Sequence, residues 1–272
     1  MPSWVDGRPA AELPLGDRGL AYGDGLFETI AVRQGQPTLF DAHLARLSAG
    51  CARLAIPCDE ALIGAEIRAF SAELGDGVAK LILTRGDGRR GYARPEPATP
   101  RRILLGSPLP EYPRSHAEQG VCLYPCATRL AEQPLLAGLK HLNRLEQVLA
   151  RSEWSDEAYA EGLLHDAQGR VIEAVFSNLF LVKAGCLLTA SLERCGVAGV
   201  MRGALLEQAR ALRLQVEIRD IPHDELLAAD EVFVCNSVYG IWPVRRLDRH
   251  VWPVGPLTRK LQGIARTLLE VR

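Results

Sequence analysis

The 272-residue sequence predicts a two-domain globular protein of the α/β or α+β class. This length exceeds what one small domain needs and is short for three domains. Hydrophobic residues make up 47% of the chain and charged residues 24%, a balance typical of proteins that bury a sizeable core. Strand-like and helix-like segments alternate along the chain without an internal repeat, which favours two mixed halves.

The first half contains both kinds of element. Apolar residues at Phe40, Leu44, Leu47, Cys51 and Leu54 recur at spacings of four and three, which predicts a helix that ends before Pro57. A second helix is predicted over residues 60–74. The β-leaning runs are residues 27–32, 78–84 and 102–106.

Two segments of the first half predict irregular structure. Residues 85–100 are rich in Gly, Arg and Pro and predict a long loop, which in a compact domain is more often functional than idle. Residues 109–120 contain two prolines among polar side chains and predict a linker. We therefore expect a smaller domain over residues 1–108 and a larger one over residues 121–272.

The second half continues the mixed pattern. Predicted strands cover residues 121–126, 161–165, 171–176, 179–182 and 231–236. Predicted helices cover residues 142–154, 201–212 and 257–271.

Charge and composition exclude several classes of protein. The formal net charge of -1 gives no electrostatic footprint for a nucleic acid. No apolar run approaches the roughly 18 residues of a membrane span, and the first residues lack a signal pattern, so we expect a cytosolic protein. The seven cysteines are scattered without a Cys-x-x-Cys pair, which predicts reduced core residues rather than disulfides or a metal site.

Lys140 is one of four lysines and precedes the predicted helix over residues 142–154. A lysine at an element boundary beside apolar residues can be desolvated, and its pKa then falls, as an imine-forming amine requires. A solvated surface lysine remains the simpler interpretation of this residue alone.

Glu173 lies in the apolar run Val171-Ile172-Glu173-Ala174-Val175, so both faces of the predicted strand are otherwise hydrophobic. We expect its carboxylate to be buried, and a buried carboxylate stays ionised beside a cation, such as a protonated pyridine nitrogen of a cofactor. An edge strand with Glu173 in solvent is the alternative.

Two further features are anion-binding candidates. Arg46 flanks the apolar stripe of the first predicted helix and could direct its guanidinium at a phosphate. Residues 196–203, Gly-Val-Ala-Gly-Val-Met-Arg-Gly, open a helix whose N–H groups could bind an anion. The segment matches neither the P-loop nor the dinucleotide pattern.

Together these stretches resemble the fold-type IV pyridoxal-phosphate enzymes, the superfamily of branched-chain and D-amino-acid aminotransferases and aminodeoxychorismate lyase. The resemblance runs nearly end to end. It rests on Asp17-Arg18-Gly19 with residues 22–28 (YGDGLFE), residues 43–47 (HLARL), residues 140–149 (KHLNRLEQVL), and Glu173 followed by residues 177–180 (SNLF).

The resemblance implies a cofactor, pyridoxal 5'-phosphate, held in a cleft between the two domains, and a role for each matching residue. Lys140 would be the Schiff-base lysine and proton carrier, Glu173 the partner of the pyridine nitrogen, and Arg46 the phosphate ligand. The remaining cofactor contacts would be Arg144, Asn178, Val200, Met201, Asn236 and Ser237. Substrate contacts would come from Glu28, Arg89 and Tyr92.

The run after Lys140 resembles the lyase branch most closely, which implies conversion of 4-amino-4-deoxychorismate to 4-aminobenzoate and pyruvate. The arginine-bearing loop at residues 85–92 could offer cations to a dicarboxylate substrate. An aminotransferase of the branched-chain or D-amino-acid type is the alternative, since it shares the cofactor residues and Phe27-Glu28-Thr29 matches its signature. A silent relative that kept the fold is a third possibility. The resemblance also implies a homodimer.

Overall fold

A computed structural model describes residues 1–270, and Val271 and Arg272 lie outside the described residues. Its contacts divide the chain into two compact units. The first comprises Met1–Pro110 and Leu139–Asn143, with Leu269 and Glu270. The second comprises Glu111–Gly138 and Arg144–Leu268. The five residues around Lys140 therefore belong with the first unit, although the sequence analysis assigned them to the larger second domain.

Within the described residues, the first unit contains three helices beside one antiparallel sheet. The helices are α1 (Arg18–Tyr22), α2 (Phe40–Leu54) and α3 (Glu60–Leu74). The strands are β1 (Ser3–Val5), β2 (Arg8–Pro9), β3 (Gly25–Arg33), β4 (Gln36–Pro37), β5 (Gly77–Thr84) and β6 (Arg101–Ser107). Their order in the sheet is β2-β1-β6-β5-β3-β4.

Helix α3 shows why the sequence was informative in this unit. The Asp59 carboxylate accepts the N–H of Leu62 at 3.0 Å and so caps the first turn. Ile63, Ile67 and Phe70 then recur at spacings of four and three and are all buried. The predicted bounds of α3 are confirmed, as are the predicted α2, the strands β3, β5 and β6, and the loop over residues 85–100.

The second unit contains the remaining elements. Its helices are α4 (Arg114–Glu118), α5 (Leu145–Arg151), α6 (Val200–Ala211), α7 (His223–Leu227) and α8 (Pro256–Leu269), the last residue of which clusters with the first unit. Its strands are β7 (Val121–Leu130), β8 (Tyr159–Asp166), β9 (Val171–Ala174), β10 (Asn178–Lys183), β11 (Cys186–Ala190), β12 (Val216–Arg219), β13 (Glu231–Asn236), β14 (Gly240–Leu247) and β15 (His250–Val251).

The strands of the second unit close on themselves. Neighbours follow the order β12-β11-β10-β13-β14-β7-β8-β9, and β9 also pairs with β10. Strands β10, β13, β14, β7, β8 and β9 therefore form a closed barrel, in which β7 runs parallel to both β8 and β14. Its apolar core includes Leu163, Leu181, Val234 and Val244, each essentially without exposed surface.

The predicted helix over residues 142–154 is wrong at its start and its end. The structure has α5 over Leu145–Arg151, because the Leu142 N–H donates to the Gly25 carbonyl at 3.1 Å and is used in a strand-like pairing. Two leucines of α5 are exposed, with Leu145 75% and Leu149 61% accessible.

The elements that were not predicted are the eight-residue strand β14 and the shorter α1, α4, α7, β1, β2, β4, β11, β12 and β15. Helix α4 lies inside the stretch predicted as a linker. The predicted strand over residues 171–176 ends at Ala174, because residues 175–177 form a turn. The predicted end of the last helix at Val271 lies outside the described residues.

Candidate active site

The segment around Lys140 is held against strand β3 of the first unit. The Phe27 N–H donates to the Lys140 carbonyl at 2.9 Å, and the Leu142 N–H donates to the Gly25 carbonyl. The Lys140 Nζ lies 4.3 Å from the centroid of the Phe27 ring. An ammonium near an aromatic face is attracted by the ring quadrupole, so the Phe27 ring favours this position of the half-buried amine.

Glu28 follows Phe27 on β3 and forms a buried cluster with two side chains of α2. Its carboxylate, 2% exposed, accepts from Arg46 Nε at 2.8 Å, from Arg46 Nη2 and from His43 Nδ1 at 2.6 Å. His43 and Arg46 lie one turn apart on α2, so both reach the same carboxylate. The structure thus brings the predicted residues Glu28, Arg46 and Lys140 into one unit.

The protonation states in this cluster follow from burial and charge. Burial raises the pKa of the Glu28 carboxyl, but Arg46 and His43 outweigh it and hold that pKa at about 2. Burial lowers the pKa of His43, and Glu28 opposes that shift. A neutral His43 must carry its proton on Nδ1, because the carboxylate can only accept. Among residues 1–270, its buried Nε2 has no hydrogen-bond partner.

The loop over residues 85–100 presents the predicted substrate residues Arg89 and Tyr92 on its surface, with Tyr92 87% exposed. Buried Arg18 holds the loop, since its guanidinium donates to the carbonyls of Gly91, Tyr92 and Ala93 at 3.1 to 3.3 Å. These hydrogen bonds to backbone carbonyls fix the path of the loop without using the side chains of Arg89 and Tyr92.

Glu173 lies on β9 in the second unit and is 4% exposed, so its predicted burial is confirmed. Its Oε2 accepts the Val197 N–H at 2.8 Å and lies 3.5 Å from Asn178 Nδ2. Asn178 is its Cα partner across the β9–β10 pair and also donates to the Val197 carbonyl at 2.8 Å. Asn178 thus ties the glutamate to the segment that enters α6.

Helix α6 begins at Val200, and its N-cap residue, Gly199, has no side chain that could cap the first turn. The first N–H groups of a helix have no partner within it, and Val200 and Met201, the predicted phosphate contacts, lie at this helix start. Gly199 allows a close approach here, because a Cβ would lie 2.0 Å from the Asn178 Oδ1.

The other predicted cofactor residues of the second unit lie at element ends. The Asn236 Oδ1 accepts the N–H groups of Val238 and Tyr239 at 2.9 and 3.1 Å, which shapes the turn containing Ser237. Arg144 precedes α5 and is half-buried; burial lowers its pKa, while Glu173 and Glu146 act in the opposite direction.

The sequence analysis did not identify three groups as part of the site. His43 was noted only as a motif residue, Arg18 likewise, and Glu161 not at all. Glu161 is fully buried on β8 and accepts hydrogen bonds from the β9–β10 turn. Burial raises its pKa to about 8, while the hydrogen bonds it accepts act to lower it. A glutamate in an alternating strand carries no local signal of such long-range partners.

These residues fit pyridoxal phosphate in four respects. The aldehyde of the cofactor needs an amine, and Lys140 offers a half-buried one. The ring nitrogen needs a carboxylate, and Glu173 offers a buried one. The phosphate needs an uncapped helix start and an arginine, and the arginine here is oriented by a carboxylate. Among residues 1–270, no cluster of His, Cys, Asp or Glu could hold a metal ion. None of the described helices combines the length and apolar character needed to cross a membrane.

The fold and these residues define a mixed α/β enzyme with an amine and a carboxylate suited to amino-group chemistry. Residues 25–247 match the family described as amino-transferase class IV, and the chain belongs to that family.

Three individual members of the family show how similar the chain is to proteins of stated activity. The chain is 40% identical to the aminodeoxychorismate lyase of Vibrio harveyi, over 97% of this chain and 99% of that protein. The crystal structure of 4-amino-4-deoxychorismate lyase from Pseudomonas aeruginosa is 66% identical, with a TM-score of 0.96 over 97% of this chain and 98% of that one. The D-alanine aminotransferase of Listeria monocytogenes is 29% identical over 93% of this chain and 90% of that protein.

Proposed function

We propose that this protein is a pyridoxal-phosphate-dependent lyase that converts 4-amino-4-deoxychorismate to 4-aminobenzoate and pyruvate. The observation that carries the proposal is the similarity, over almost the full length of both chains, to two proteins named for that activity. The cofactor is that of the family to which the chain belongs.

The residues of the second unit would hold the cofactor ring and phosphate. Glu173 would bind the ring nitrogen and, as a buried carboxylate, keep it protonated. The N–H groups of Val200 and Met201, with Asn236 and Ser237, would bind the phosphate. Arg144 and Asn178 complete the set proposed for this unit.

In the first unit, Lys140 would bond the cofactor, and Arg46 would bind its phosphate. Once the substrate amine has replaced the lysine, the released Nζ would take the proton from the substrate carbon that bears nitrogen. The cofactor supplies a protonated ring that withdraws electrons from that carbon. The C–O bond between the ring and the enolpyruvyl side chain would then break, and the departing enolpyruvate would take up a proton to become pyruvate. The substrate ring would become aromatic, and no keto acid is required.

Arg89 and Tyr92 are proposed to contact the substrate, because the loop that carries them leaves both side chains exposed. Glu28 was predicted as a further substrate contact. Its carboxylate is engaged by Arg46 and His43, so any such contact would have to compete with two existing partners.

The test is a comparison of two reactions catalysed by the purified protein. One contains 4-amino-4-deoxychorismate and no keto acid, and the other contains a panel of amino acids with 2-oxoglutarate or pyruvate. We expect 4-aminobenzoate in the first and little amino transfer in the second. Amino transfer with no 4-aminobenzoate would support the second candidate, an aminotransferase, which the similarity to D-alanine aminotransferases and the Phe27-Glu28-Thr29 motif favour.

We also propose a homodimer. Leu145, Val148 and Leu149 form an exposed apolar stripe on α5, where a second copy of the chain could bury them. Sedimentation of wild-type protein should give a dimer mass, and Leu149→Glu should weaken association. A monomeric wild type would contradict the proposal. The expectation of a cytosolic location rests on the sequence and stays a prediction.

A further inference from the structure

Glu161 organises the turn between β9 and β10. Its two carboxylate oxygens accept four hydrogen bonds, from the N–H groups of Gly162, Val175 and Phe176 at 3.0 to 3.1 Å and from Ser177 Oγ at 2.7 Å. A carboxylate has about four acceptor positions, so these donors satisfy it. Three of them belong to consecutive residues of one turn.

This turn sets the positions of two candidate cofactor residues. The Ala174 N–H donates to the Ser177 carbonyl at 2.7 Å and closes the turn. Glu173 and Asn178 lie immediately outside it and are Cα partners. Any shift of residues 175–177 would therefore change how Glu173 and Asn178 face each other.

Ser177 extends the chain of hydrogen bonds to a second turn. Its hydroxyl has one proton, which it donates to Glu161 Oε1 at 2.7 Å. The Tyr239 hydroxyl, 2.6 Å from Ser177 Oγ, must then be the donor to Ser177. Tyr239 belongs to the β13–β14 turn, which Asn236 shapes.

Burial makes the hydrogen bonds of Glu161 costly to break. Glu161 is fully buried, and its hydrogen-bond partners among the described residues are dipolar groups rather than a cation. Removing one partner from such a buried carboxyl group leaves a polar atom without a hydrogen bond, which costs free energy, so the arrangement resists displacement. The Tyr239 ring is also fixed, since it stacks on Trp242 at 3.7 Å with planes 7° apart.

We propose that Glu161, Ser177 and Tyr239 are positioning residues that hold the β9–β10 turn and the β13–β14 turn in register for cofactor binding. The inference rests on the proposed function, because the first turn carries the candidate ring-nitrogen residue and the second the candidate phosphate residues. None of the three is assigned a direct contact with the cofactor.

The test measures the dissociation constant of pyridoxal phosphate for Tyr239→Phe, Ser177→Ala and the double variant. Tyr239→Phe keeps the stacked ring and removes one donor. The loss of one hydrogen bond corresponds to about a threefold to tenfold weaker binding. The double variant should bind no more weakly than Ser177→Ala, because both changes break the same chain. Tyr159→Phe is the control, a tyrosine of the same barrel whose ring contacts Tyr124.

Circular dichroism of the saturated cofactor provides a readout that loss of stability alone does not change. We expect the cofactor band to change shape in Tyr239→Phe and Ser177→Ala and to match wild type in the control. Wild-type affinity and wild-type dichroism in both variants would overturn the inference, even if their melting temperatures fall. Additive losses in the double variant would overturn it too. A wild-type protein that does not bind the cofactor would instead refute the proposed function on which the inference rests.

Discussion

Arg46 and Glu28 form a two-point ion pair in the first unit, with Nε and Nη2 of the guanidinium donating to the two oxygens of one buried carboxylate. This geometry fixes the guanidinium plane as well as its position. The arginine proposed for the phosphate is therefore oriented by the protein itself, through a residue that the sequence analysis had assigned to the substrate.

Glu28→Gln should destabilise the protein by about 3 kcal/mol, because it leaves Arg46 without its buried counter-charge. The free energy of unfolding in urea measures this. Glu225→Gln is the matched control, since Glu225 pairs with the half-buried Arg219 near the surface through two bonds of 2.7 Å. That surface change should amount to less than about 1 kcal/mol. Equal losses of unfolding free energy in the two variants would show that the buried pair stabilises the protein no more than the surface pair does.

Gly199→Ala should weaken pyridoxal-phosphate binding by about tenfold or more, since its Cβ would overlap the Asn178 Oδ1 and displace the start of α6. Gly203→Ala in the same helix is the control, because a Cβ there meets no atom within 4 Å. It should leave binding unchanged and add up to about 1 kcal/mol of stability. Fluorescence titration with the cofactor distinguishes the two. Equal binding by both variants would contradict a close-packed helix start.

His165 should make the protein less stable in acid. Burial lowers its pKa to about 4, assisted by the charges of Arg129 and His223. Below about pH 6.5 the unfolded chain gains a proton on this residue and the folded chain does not, so stability falls until about pH 4. Unfolding in urea at pH 7 and pH 4.5 should show that His165→Gln has the smaller pH dependence. Identical pH dependence in both proteins would refute this assignment.

Arg18→Lys should loosen the loop that carries Arg89 and Tyr92. A lysine ammonium cannot reach all three loop carbonyls that the guanidinium contacts. Limited digestion with trypsin, followed by mass spectrometry, should show cleavage within residues 89–94 at least about fivefold faster. Arg8→Lys, at an exposed strand, is the control. Unchanged cleavage in Arg18→Lys would mean that other contacts hold the loop.

Local signals were sufficient for several elements and one site residue. Asp59 and the buried stripe of α3 lie within fifteen residues of each other, so the sequence alone predicted that helix. Glu173 was predicted to be buried because apolar neighbours on both faces of a short strand leave no solvent side.

Long-range pairings were beyond the reach of such signals. The start of α5 was placed too early because Leu142 pairs with Gly25, a residue more than a hundred positions away. Glu161 was missed for the same reason. Its hydrogen-bond partner Ser177 lies 16 residues away, and Ser177 connects it to Tyr239, which lies a further 62 residues along the chain. The family resemblance supplied the residue roles that periodicity could not, and those roles stay predictions until variants are measured.

The most direct measurement follows 4-aminobenzoate and pyruvate together in one reaction without keto acid, with substrate formed in place by its synthase. Wild type and Lys140→Ala are compared at equal concentration, with far-ultraviolet circular dichroism to show that both are folded. We predict equal amounts of the two products from wild type and neither from a folded Lys140→Ala. Full turnover by Lys140→Ala, or no product from a wild type that binds the cofactor, would contradict the account.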